Sequence, residues 1–131
     1  MHVLRRVHTA LRPEGLLLDI HPLGVDFAVC AGEQGVGFVD TRRFRQVLAA
    51  MEDAVAVVLA EGLYLEVRTL RRHVVERFDS AAELLEEADS WEHLRLPGAV
   101  RRRLGSIEGS PIELIDTILY RLLRVASLPR H

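Results

Sequence analysis

At 131 residues, 49% apolar and 27% charged, the chain has the size and composition of one globular domain rather than of a disordered segment. Its net charge of −2 excludes a global pull toward nucleic acid or an anionic membrane, even though all 17 basic side chains are arginine. The single cysteine, Cys30, excludes an internal disulfide and a thiolate zinc site.

Residues 3–11 place Val3, Leu4, Val7 and Leu11 on one helical face, and Pro13 and Gly15 end that helix. The apolar run Leu16-Leu17-Leu18-Asp19-Ile20 reads as a buried strand, broken by His21-Pro22. Residues 25–31 and 36–40 read as two strands around a four-residue loop, Gly32 to Gly35. A helical stripe follows in Phe44, Val47, Leu48, Met51, Val55, Val58 and Leu59, with Thr41 as its N-cap and Gly62 as its C-cap. Residues 63–78 alternate as one long bent strand or two short ones. Ser80 and Glu83 have the spacing of a capping box before a helix carrying Leu84, Leu85, Ala88 and Trp91, and Pro97 opens a further short helix with Val100 and Leu104. Ile112–Val125 fits either a helix or a strand, with Arg121 interrupting the strand's apolar face. The longest apolar stretch, residues 54–60, falls far short of the roughly 20 residues that span a bilayer. With no export signal near the N-terminus, a cytoplasmic location with no membrane and no nucleic-acid partner is expected.

The stretch Leu4-Arg5-Arg6-Val7-His8-Thr9-Ala10-Leu11-Arg12-Pro13-Glu14-Gly15-Leu16-Leu17-Leu18-Asp19 resembles class I S-adenosylmethionine-dependent methyltransferases, in which a helix ends in a Leu-Arg/Lys-Pro-Gly-Gly turn before the fifth strand. Glu14 stands where that family usually has its first Gly. The Gly62-Leu63-Tyr64 strand start, and the Arg77-Phe78-Asp79-Ser80 stretch before an acidic helix, look like family tails. The resemblance implies a single domain over residues 1–131, corresponding to the C-terminal half of a Rossmann-like α/β fold. The sheet would be mixed and largely antiparallel, flanked by helices. Residues 63–78 would be the sixth strand. Residues 112–125 would be the seventh, lying between the fourth-strand and fifth-strand positions and pairing antiparallel with the sixth. No Gly-x-Gly-x-Gly turn of the kind that holds the cofactor stands in this sequence; Gly32, Gly35 and Gly37 belong to the expected hairpin.

Asp19 and His21 are the candidate catalytic residues. Alternation puts both on one face near a strand's carboxyl end, where an acid and an imidazole can act as a general base or orient a substrate. The alternative is that Asp19 caps a turn and His21 sits in an exposed bend. His8, His73, His93 and His131 are scattered without metal-ligand spacing, and Arg101-Arg102-Arg103 reads as a solvated helix face. The expected protein is therefore a truncated or split methyltransferase that binds no cofactor alone and would use S-adenosylmethionine only if completed by an upstream half. The alternative is a non-catalytic dimerisation module of the same descent, and a small-ligand domain using Asp19 and His21 is a third reading. A half-sheet should also self-associate, as a homodimer burying on the order of 2,000 Å² through an apolar interface that includes the N-terminal third.

Overall fold

Residues 3–126 are described by the computed structural model. The elements run α1 (Val3–Ala10), β1 (Leu16–Pro22), β2 (Ala28–Ala31), β3 (Gln34–Phe38), α2 (Arg42–Ala60), β4 (Tyr64–Phe78), α3 (Ala81–Ala88), α4 (Gly98–Gly105) and β5 (Ile112–Val125). The fold is α/β, with a five-stranded, mostly antiparallel open sheet. β5 is its hub. Its first residues pair antiparallel with β2, Ala28 opposite Ile115 and Ala31 opposite Ile112, and β3 extends the sheet beyond β2. β1 pairs the later part of β5, where the Val125 N–H donates to the Gly15 carbonyl at 2.8 Å. β4 also pairs β5, the Ala126 N–H donating to the Leu63 carbonyl at 3.0 Å.

The chain's contacts group into two compact units. Of the described residues, one unit holds residues 3–21, 47–71 and 119–126; the other holds residues 22–46 and 72–118. The second unit has the larger core: Val29 and Val36 of the hairpin, Leu84 of α3, Val100 and Leu104 of α4, and Ile112 and Leu114 of β5, with Trp91 packed against it. Here the close approach of β3 to α4 requires a glycine. A Cβ on Gly37 would stand 2.6 Å from Val100 Cγ2, at a φ of +154° that side chains resist. Gly37→Ala is expected to cost about 2 kcal/mol by overpacking. Urea unfolding measures it, and a change within about 0.5 kcal/mol, the range of ordinary surface substitutions, would contradict the packing.

In the first unit, Val58, Tyr64, Leu123 and Val125 form a smaller core, joined by Leu4, Leu11, Leu17, Leu59 and Leu63. The Tyr64 hydroxyl donates to the Leu4 carbonyl at 2.6 Å and ties α1 down, although no residue of α1 is buried. Burial pushes the Tyr64 phenol above its ordinary pKa.

Several local expectations are realised. Gly62 takes φ +76°, its N–H bonding the Leu59 carbonyl while the Leu63 N–H bonds Val58, which closes α2 with a Schellman turn. Ser80 caps α3, its Oγ accepting from the Glu83 N–H, while the Glu83 carboxylate accepts from the Asp79 N–H.

Other expectations are corrected. The hairpin turns through two residues, Gly32 and Glu33, since Ala31 pairs directly with Gln34, and a bulge after Val29 absorbs the difference. Thr41 precedes α2, but its hydroxyl donates to the Gly24 carbonyl at 2.6 Å; the Asp40 carboxylate accepts the first-turn Arg42 N–H instead. Pro97 occupies the N-cap of α4 rather than its first turn. β1 runs through His21 and Pro22 and is buried on one face only, with Leu16, Leu18 and Ile20 52–58% exposed. Residues 112–125 are a strand, and it lies between β1 and β4 rather than between fourth-strand and fifth-strand positions.

Candidate functional site

The first unit presents two different sheet faces, and the period-2 pleat explains both. On β1, Leu17, Asp19 and His21 turn inward while Leu16, Leu18 and Ile20 turn out. With Val125 bonded to Gly15, antiparallel pairing sets Asp19 across from Arg121 of β5. Arg121 is buried, its side chain only 10% exposed, and it is surrounded by acids. Its Nη2 donates to Glu52 Oε2 at 2.8 Å, Nη1 reaches Asp19 Oδ2 at 3.4 Å, and Nε stands 3.7 Å from Glu66 Oε1. His21 completes the cluster, with Nδ1 3.1 Å from Asp19 Oδ1 and Nε2 3.0 Å from Glu52 Oε1. The second contact lies outside hydrogen-bond geometry, and both Nε2 and Oε1 are buried without another partner among the described residues. Burial alone would push the Glu52 carboxyl up; the hydrogen bond and charge of Arg121, with His21, outweigh it and hold the carboxyl below its ordinary value. Arg121 is likewise held above its ordinary value by Glu52, Asp19 and Glu66 against the cost of burial.

Above this cluster, α1 and α2 enclose a groove of about 730 Å³, walled by Val3, Leu4, Val47, Met51 and Val55 and floored by Asp19, His21 and Glu52. The two candidate residues are thus brought together in a concavity. Asp19 is partly exposed there. His21 is 6% exposed, more deeply buried than a residue in an exposed bend or one open to solvent. Asp19 opposite Nδ1 fixes the ring's tautomer and orientation. Among the described residues, no serine or cysteine lines the groove.

Glu52, Glu66 and Arg121 were not among the candidates from the sequence. Glu52 has a legible signal: it falls in register with Leu48 and Val55, an acid on an otherwise buried helical stripe. Arg121 is its counterpart, the charge that interrupts the inward face of β5.

Over residues 16–20 of β1, 65–67 of β4 and 120–124 of β5, the opposite face carries no acid. The pairings align Leu18 with Leu122 and Val67, Ile20 with Tyr120, and Leu16 with Arg124 and Leu65. Leu65 and Val67 are about half exposed, as are the three β1 side chains.

In the other unit, a concavity of about 470 Å³ is lined by Arg42, Arg43, Arg95 and Arg101 together with Asp40, Asp89 and Glu92. Two of these cations face acids. Arg42 donates twice to Asp40, which holds that carboxyl down at about 2, and Arg101 stands 3.5 Å from Asp89. In the run of three arginines, Arg103 donates to the Val36 carbonyl at 2.9 Å and is therefore not purely solvated. His73 is exposed, His8 and His93 are half-buried, and His131 lies outside the described residues. No group of acids, histidines and cysteines suited to a metal occurs among the described residues, and no helix there is long and apolar enough to cross a membrane. No family model, no curated protein and no solved structure matches this chain.

Proposed function

We propose that this chain is a methyltransferase-like half-domain that works as a non-catalytic pairing module, forming a homodimer through the outward face of β1, β5 and β4. The observation that carries this reading is that face. Five aliphatic side chains, each about half exposed, stand on β1 and β4 on either side of β5, with no acid among them. Together they offer on the order of 400 Å² of apolar surface, the size of the largest patch on a typical monomer, which is often functional. With Tyr120, Leu122 and the rim of the face, two copies related by a two-fold axis approach the roughly 800 Å² per partner of a standard interface. This is smaller than the interface expected from the sequence, because α1 and the inward faces of β1 and β5 are already packed within the unit.

The methyltransferase element of the reading rests on the helix–turn–strand unit at α1 and β1 and on the pairing of β4 with β5. In the turn, Glu14 adopts φ +62° and the Gly15 N–H bonds the Arg12 carbonyl at 2.8 Å. The left-handed geometry falls at the position where the family carries glycine, which is the physical reason for glycine there. An upstream methyltransferase half is the other partner that would cover the same strands.

A half-domain without the Gly-rich turn binds no S-adenosylmethionine. Titration calorimetry of the purified chain with S-adenosylmethionine is expected to show no saturable heat at micromolar concentrations. A stoichiometric micromolar site would overturn the half-domain reading.

A further inference from the structure

We propose that the groove between α1 and α2 binds an amphipathic amine, its hydrocarbon body lying between the helices and its ammonium head set against Glu52, Asp19 and His21. Size and lining come first. A groove of about 730 Å³ falls within the range of small-molecule sites, and its walls are aliphatic apart from Met51, whose flexible thioether adapts to varied hydrocarbon shapes. Charge comes next. Two carboxylates, Asp19 and Glu52, line the groove, and both share with Glu66 the single guanidinium of Arg121, so three acids stand against one arginine. A carboxylate or phosphate head would be repelled there, and a hydroxyl would leave the excess uncompensated.

The hydrogen-bond inventory narrows the class further. Nδ1 of His21 is turned to Asp19. Nε2 stands 3.0 Å from Glu52 Oε1 but outside hydrogen-bond geometry, and neither atom has a hydrogen-bond partner among the described residues. His21 is more than nine-tenths buried and lines the groove beside Glu52, so Glu52 Oε1 is an unfilled carboxylate acceptor on the groove floor. What satisfies it is a donor carrying positive charge. An ammonium supplies three N–H donors and the charge together, and alkyl amines, like lysine, are protonated at neutral pH. This inference is independent of the pairing face, which lies on the other side of the same strands.

Met51 provides a local reporter, since the chain has only two methionines. With methyl-13C-methionine labelling of the full chain, n-octylamine is expected to shift the Met51 methyl resonance saturably. It should bind at least about tenfold more tightly than n-octanol, as one charge-assisted hydrogen bond implies, with n-octanoate weakest. Glu52→Gln should bring octylamine down to the level of octanol while both still shift Met51, which separates loss of head recognition from loss of the groove. Asp19→Asn serves as the second variant should Glu52→Gln fail to fold, and should reduce the same preference. Octanol or octanoate binding as tightly as octylamine would overturn the proposal, as would a Met51 signal that moves with none of the three. Neither outcome bears on the oligomeric state, so failure here is distinguishable from failure of the pairing module.

Discussion

Replacing Arg121 with methionine is expected to lower stability by about 3 kcal/mol, the largest loss from any single polar side chain here. Arg121 is buried and gathers Glu52, Asp19 and Glu66 around one guanidinium. Without it, three acids face one another and His21 across a low-dielectric floor. Removing one partner from a sealed ion pair costs roughly 3–5 kcal/mol because the other charge is left uncompensated. Glu52 is 40% exposed and Asp19 19% exposed on the side chain, so both can turn partly to water, which sets the expectation at the low end of that range. Adding Glu52→Leu to Arg121→Met should recover part of the loss, since it withdraws one of the stranded charges. Urea unfolding followed by circular dichroism measures both. A loss under about 1 kcal/mol for Arg121→Met, the worth of an exposed pair, would mean that the cluster is solvated and its acids do not depend on Arg121.

That cluster also marks where the sequence stops being legible. Local signals were readable wherever the cause was local. Gly62 ends α2 because the left-handed Schellman position favours glycine, and Ser80 and Glu83 cap α3 within four residues of chain. The placement of Asp19 and His21 on one face follows from the pleat alone. What could not be read depends on distant partners. Arg121 argued against a strand over residues 112–125 until Asp19 and Glu52, far away in sequence, supplied its counter-charges. Thr41 has an N-cap's chemistry, yet Gly24 takes its hydroxyl. The run Leu16-Leu17-Leu18-Asp19-Ile20 has the composition of a strand covered on both sides. Composition does not say whether the second cover comes from the same chain, and here Leu16, Leu18 and Ile20 stand open.

Those open side chains carry the second large effect. Leu18 sits mid-strand on the outward face, aligned with Leu122 and Val67, at the centre of the surface proposed to pair. Leu18→Glu is expected to convert the homodimer to a monomer. A two-fold interface places two such charges near each other in an apolar layer, and an unpaired buried charge costs several kcal/mol, enough to weaken binding by a factor of about a thousand or more. Stability of the monomer should change little, because the position is 54% exposed within one chain. Val47→Glu, on α2 in the groove wall, carries the same change in charge away from the pairing face and should leave the dimer intact.

Light scattering of the unmodified protein at low micromolar concentration decides whether the outward face of β1, β5 and β4 joins copies of this chain. A particle of twice the 14.8 kDa chain mass is expected, and Leu18→Glu should halve it. A stable particle of 14.8 kDa for the unmodified chain would contradict it.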